Sequence, residues 1–323
     1  MTAGTLRVVL AALAALLALA GCTAGPPTAA AAPIGERAVR VTTTTNFITD
    51  TVRRIGGDRV EVTGLMGPGV DPHLYRASAQ DVRALREADI VFYGGLGLEG
   101  KMADLLADLA QHQTTTAVTD GIPREALLPA PGGAPGQYDP HIWFDVTLWE
   151  QVSATIAATL SERDPQHAAT YRQNLDAYRS ELRALDTEVR TRIAAIPPAH
   201  RLLVTSHDAF AYFGRRYGIE VAAIQGISTA AEATTADVER VADLLASRAV
   251  PAVFVETSVP RQTIDALLAA AARRGQQARV GGELFTDAAG APDTPEGSYI
   301  GMLRANAGRI ADSLSATTVT QGG

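Results

Sequence analysis

The feature that most constrains this chain is a stretch between residues 166 and 196. There Tyr171, Leu175, Tyr178, Leu182, Leu185, Val189 and Ile193 recur at spacings of three and four. That spacing predicts one amphipathic helix with a single apolar stripe. Asp164-Pro165 precedes it, with the proline suited to a helix start, and Pro197-Pro198 closes it. Roughly 30 residues at about 1.5 Å each make a helix about 45 Å long, more than one small domain's diameter. A chain of 323 residues is long enough for about two domains. A helix of this length therefore reads as a strut between two lobes. A coiled-coil arm is the alternative, but the stripe covers only about four heptads and its outer positions are mixed.

Both sides of the strut show the same alternation. Before it, residues 39–44, 60–65, 90–93 and 116–118 are strand-like, with helical patterns over 47–55, 79–88 and 102–111 between them. After it, strands at 201–205, 220–224, 252–256 and 279–281 alternate with helices at 209–217, 234–248 and 261–274. A last helix runs from about 298 to 314, and a second one, 147–163, precedes the strut. Ser78 with Asp81, and Thr234 with Asp237, have the spacing of N-terminal capping boxes. The predicted class is α/β: two lobes, each a parallel sheet flanked by helices, joined by one long connecting helix. The expected divisions are a leader (1–21), a tether (22–36), an N-terminal lobe (37–146), connecting helices (147–198), a C-terminal lobe (199–317) and a tail (318–323).

In the leader, Arg7 is the only charged side chain before an apolar run of Val, Leu and Ala from Val8 to Ala20. That is short of the roughly 20 residues a membrane span needs, and suits a signal-peptide core. The run ends in Leu19-Ala20-Gly21-Cys22, which resembles the lipobox of bacterial lipoproteins, where the cysteine is acylated after cleavage just before it. An uncleaved anchor with an incidental cysteine is the alternative. Thr23 to Pro33 is rich in Thr, Ala, Gly and Pro and reads as a flexible leash. Cys22 is the only cysteine, so the chain forms no internal disulfide. Net charge is −7 with no basic run, which argues against nucleic acid as a partner.

Three histidines and an aspartate stand in loops that follow strands. His73 lies in Asp71-Pro72-His73, His141 in Asp139-Pro140-His141-Ile142-Trp143-Phe144-Asp145, and His207 in Ser206-His207-Asp208. Asp287 ends Gly282-Glu283-Leu284-Phe285-Thr286-Asp287. Ligands of open α/β sheets gather at the carboxyl ends of strands, so two facing lobes bring these loops to one cleft. Three imidazoles and a carboxylate form a full tetrahedral set for Zn²⁺, and Mn²⁺ accepts the same donors if the carboxylate binds through both oxygens. The repeated Asp-Pro-His supports the grouping, whereas His112, His167 and His200 do not follow strands and are read as ordinary histidines. Glu256, Glu283 and Trp143 are candidates to support the ligands, with Glu283 the rival of Asp287 as fourth donor. Trp143 is expected to pack in the core more than to touch the ion.

Together these segments resemble the metal-binding solute receptors of zinc/manganese ABC importers. The resemblance runs from about residue 39 to 314 and extends to Gln225-Gly226-Ile227-Ser228 and Glu296-Gly297-Ser298-Tyr299. It implies two α/β lobes around one long helix, with Zn²⁺ or Mn²⁺ held between them by His73, His141, His207 and Asp287. It also implies a monomeric, non-enzymatic lipoprotein, anchored outside a bacterial cell membrane through Cys22, that delivers the ion to a permease and its ATPase subunit. Two departures matter. The loop over 121–137 lacks the histidines of strongly zinc-specific members, and His207 stands where many manganese-dedicated members have glutamate. Zinc is slightly ahead on ligand softness. A zinc hydrolase using the same histidines, or a metal-binding surface adhesin, are the alternatives.

Overall fold

The computed structural model describes residues 33–315, so the leader, Cys22 and the last eight residues of the chain lie outside the described part. The first lobe is a four-stranded parallel sheet of β1 (Val39–Thr43), β2 (Val60–Gly64), β3 (Ile90–Tyr93) and β4 (Thr114–Ala117), in the order β2-β1-β3-β4. Helices α1 (Asn46–Gly56), α2 (Ala79–Glu87) and α3 (Ala103–Ala110) connect them. From β1 the chain steps to β2 on one side and then crosses back to β3 on the other, so the order reverses beside β1, a topological switch point of the kind that places ligands at strand ends.

Helix α4 (Val146–Arg163) leads through a 3-10 turn at Pro165–His167 into α5 (Ala168–Ala194). The buried face of α5 is the stripe read from the sequence, Tyr171 through Ile193. With 27 residues it is about 40 Å long. It packs on α1 and α4 on one side and on the C-terminal helix α9 (Tyr299–Ser315) on the other. One continuous apolar core therefore runs through both lobes, from Val39 and Phe47 through Leu182 to Phe254 and Leu303.

The second lobe holds its strands as two parallel pairs, β5 (Leu202–His207) with β6 (Glu220–Gln225) and β7 (Ala252–Glu256) with β8 (Arg279–Leu284). β5 lies beside β7, and at its end the Glu256 carboxylate, rather than a strand, accepts the N–H groups of Ser206 (2.7 Å) and His207 (2.9 Å). Helices α6 (Ala211–Tyr217), α7 (Thr235–Arg248) and α8 (Gln262–Arg273) complete the lobe. Both capping boxes form: Ser78 with Asp81 starts α2, and Thr234 with Asp237 starts α7.

The sequence reading ends two strands too early. β5 runs on to His207 and β8 to Leu284, so His207 is the last residue of a strand instead of a loop residue. Glycines 281 and 282 interrupt the apolar pattern of β8, and a register shift opposite Val253 and Phe254 accompanies them.

The two lobes are stitched along one side of the cleft. The Asn46 side chain both donates to the Ala289 carbonyl and accepts the Ala289 N–H, each at 2.8 Å. Asp50 accepts the Tyr299 N–H at 3.0 Å, and the Tyr299 hydroxyl donates to the Trp143 carbonyl at 2.8 Å. The rings of Trp149 and Tyr299 stack at 4.7 Å and those of Phe144 and Phe210 at 4.2 Å.

Because α5 carries core for both lobes, Leu182→Ala should destabilise the whole protein by about 2–5 kcal/mol in urea unfolding. Gln173→Ala on the exposed face of the same helix should change it by no more than about 0.5 kcal/mol.

Candidate metal centre

The two Asp-Pro-His segments fold alike for a local reason. In each, the aspartate Oδ1 accepts the backbone N–H of the histidine two residues on, Asp71 to His73 at 2.8 Å and Asp139 to His141 at 2.9 Å. This is an Asx-type turn, and it aims the histidine away from the chain's course. His73 follows β2, His141 follows the loop after β4, His207 ends β5, and Asp287 follows β8. All four side chains are buried.

Their donor atoms converge. One ligand atom from each of His73, His141, His207 and Asp287 lies within 4.8 Å of all the others. His73 Nε2 is 3.3 Å from His141 Nε2, and Asp287 Oδ1 is 3.6 Å from His141 Nε2 and 3.5 Å from His207 Nε2. Donors about 2.0–2.2 Å from a tetrahedral ion stand roughly 3.3–3.6 Å apart. These three of the six separations match that edge length.

Carboxylates behind the rings set their direction. His141 Nδ1 is 2.7 Å from Asp139 Oδ1, and His207 Nδ1 makes a short hydrogen bond to Glu256 Oε2. A carboxylate only accepts, so both Nδ1 atoms carry the proton and both Nε2 atoms face the cluster. Asp287 Oδ2 accepts the Ser258 hydroxyl at 2.9 Å, leaving Oδ1 toward the histidines. Neither His207 Nε2 nor Asp287 Oδ1 has a hydrogen-bond partner, although both are buried. Unpartnered buried polar atoms are costly, and two aimed at one point call for a cation there.

Electrostatics agree. Burial pushes the His73 imidazole down to about 4, against the pull of Asp287 and with the help of the neighbouring histidines. Burial also opposes charge on His207, yet Glu256 and Asp287 together outweigh it and raise its pKa well above 6.5. Asp287, despite its burial, is held far below the usual carboxylate range, chiefly by His207. Glu256 and Asp287 thus favour the protonated form of His207, so a proton and a cation compete for the same space.

The candidate residues sort clearly. Glu256 stands directly behind His207. Trp143 packs edge-on against His141 at 5.1 Å, and its Nε1 donates at 2.9 Å to the carbonyl of Thr286, next to Asp287. Glu283 is exposed on β8 and stands outside the cluster, because the strand continues past it and turns Leu284 inward instead. His112 is exposed, His167 Nδ1 meets Asp164 at 2.9 Å, and His200 Nδ1 lies 2.9 Å from the Leu314 carbonyl. Sequence reasoning missed Asp139 and Ser258 as supports. The repeat of Asp-Pro-His carried the signal for the first; Ser258, on a loop after β7, carried none.

Two α/β lobes around a shared helix thus bring together four inward donors that could hold a metal ion. The family profile described as ZnuA, zinc-uptake complex component A, periplasmic, matches residues 41–313. The chain belongs to this family. It is 44% identical to the manganese-binding lipoprotein MntA of Bacillus subtilis over 302 residues, covering 94% of this chain and 97% of that protein. It is 42% identical to the zinc-binding protein TroA of Treponema pallidum over 275 residues, covering 85% and 88%. The solved structure of the periplasmic zinc-binding TroA superposes with a TM-score of 0.84 at 41% identity, over 86% of this chain and all of that one.

A proton on His207 must leave when an ion enters, so apparent affinity should rise with pH above 6.5 and level off only beyond the raised His207 pKa. Calorimetry in buffers of different ionisation enthalpy should detect about one proton released per ion near neutral pH. Glu256→Gln should lower that count and weaken binding about 10–100-fold.

Proposed function

We propose that this chain is an extracytoplasmic receptor that captures Zn²⁺ or Mn²⁺ and hands it to an ABC importer, with His73, His141, His207 and Asp287 as the ligands. The convergence of four buried donor atoms within 4.8 Å of one another carries this reading. The names of its relatives, a manganese-binding lipoprotein and a zinc-binding protein, support it. The ion is cargo. The four protein donors complete the set, so no site is reserved for an activated water as a zinc hydrolase requires. In this reading residues 37–146 and 199–317 are the two lobes, 147–198 connect them, and the partners are a permease and its ATPase subunit. Residues 1–21 are removed and Cys22 carries the lipid that keeps a monomeric receptor at the outer face of a bacterial membrane.

The donors suit Zn²⁺ better than Mn²⁺ on two counts. Three imidazoles are a soft, nitrogen-rich set. The Ser258 hydroxyl occupies Asp287 Oδ2, which favours binding through Oδ1 alone and a coordination number of four.

The purified protein should carry about one divalent ion per chain by elemental analysis, and His73→Ala or His207→Ala should weaken binding by more than about a hundredfold. Full retention of the ion by both variants would sink the ligand assignment. In a competition titration Zn²⁺ should displace Mn²⁺; the reverse order would overturn the argument from Asp287.

A further inference from the structure

The stitches between the lobes are unevenly placed. Trp143, Asn46, Asp50 and Tyr212 tie the lobes on the side of His141 and Asp287, with Tyr212 donating to the Asp139 carbonyl at 2.9 Å. His207 is fixed within a strand, opposite Gln225 of β6. His73 rides on a loop, residues 65–78 between β2 and α2, that none of these stitches reaches, and it is the most exposed of the four candidate ligands at 5%. Among the described residues, one side-chain hydrogen bond joins that loop to the C-terminal lobe. It runs from the Thr229 hydroxyl to Asp71 Oδ2, at 2.5 Å.

Both ends of this bond are tied to ligands. The other oxygen of Asp71 accepts the His73 N–H. On the far side, Gln225 Nε2 donates to the carbonyls of Thr229 (3.1 Å) and Ala231, and Gln225 pairs with His207 across the β5–β6 ladder. The loop also approaches the second lobe closely at Gly69. Its φ of +71° favours glycine, and a Cβ there would stand 3.3 Å from the Thr257 carbonyl oxygen. A groove of about 820 Å³ opens beside the bond, lined by Asp71, Leu74, Thr229 and Ser258, the last of which holds Asp287. The groove therefore brings solvent up to Asp71 and Ser258, which hold His73 and Asp287, while the four donors themselves stay buried behind them.

We propose that Asp71 is a positioning residue that ties the His73 loop to the C-terminal lobe through Thr229, and that this bond limits how fast the bound ion leaves. The inference rests on the ligand reading given above. Asp71 does not touch the ion; it acts through the backbone of His73. Losing the Thr229 hydroxyl leaves all four ligands in place but frees the loop that carries one of them.

The test is release of Zn²⁺, and separately of Mn²⁺, from the loaded full chain into excess chelator, followed by stopped flow at chelator concentrations where the rate no longer depends on chelator. Thr229→Val, which keeps the shape and removes the hydroxyl, should release both ions about tenfold faster, the lower end of what a hydrogen bond to a charged group is worth. Thr229→Ser, which restores the hydroxyl, should release at the wild-type rate. Ion content at saturation, and the melting temperature without metal, should match wild type in both variants, which separates a latch from a general loss of stability. A wild-type release rate in Thr229→Val, or equally fast release from Thr229→Ser, overturns the proposal while leaving the ligand reading intact. A wild-type protein that holds no ion overturns both.

Discussion

Three imidazole nitrogens and a carboxylate oxygen cannot be gathered within 4.8 Å, away from water, at no cost. Lone pairs facing one another repel, and their hydration is lost. A cation among them turns every one of these terms favourable, so the folded scaffold holds a site whose good state includes an ion. A proton on His207, which Glu256 and Asp287 favour, is a partial substitute, one positive charge where a divalent ion would give two. Proton and metal therefore compete for the same space.

Holding unfavourable groups together needs a scaffold that does not relax away from them. The continuous core along α5 provides it, since neither lobe can shift much without disturbing Tyr178, Leu182 or Leu185. The aromatic pairs Trp149–Tyr299 and Phe144–Phe210 sit where the lobes meet, and each is fully buried. Close-packed interiors transmit small displacements instead of absorbing them. The Asp287 loop is fixed from two sides, by Trp143 through Thr286 and by Asn46 through Ala289.

What the sequence made legible follows from the range of each signal. The apolar stripe of α5 and the capping boxes at Ser78 and Thr234 are local periodicities, and they appear in the fold as read. The Asp-Pro-His pairs were visible as a repeat, but their cause, a side-chain bond to the histidine N–H, required coordinates. The ends of β5 and β8 were misplaced because pairing partners, absent from local pattern, carry those strands to His207 and Leu284. That same extension explains why Glu283, the tempting neighbour of Asp287, faces solvent. Thr229 and Ser258 are polar loop residues like many others; only a partner 158 or 29 positions away in the chain gives each a role.

A closed four-ligand site meets a conflict that an open catalytic site does not, because the geometry that retains an ion also resists giving it up. Pulling the lobes fully apart would break the stitches at Asn46, Asp50, Trp143 and Tyr299 together, and expose a shared core. Withdrawing one ligand is far cheaper. For an ion held by these four donors, as proposed above, it would open one position to water or to an acceptor's donor. The least anchored ligand is therefore the natural point of departure, and the placement of rigid and loose elements selects it. His141 and Asp287 lie on the stitched side, His207 is built into a ladder, and His73 sits on a loop whose aspartate faces the other lobe. Tight capture and controlled release are then compatible in one site, because they depend on different residues.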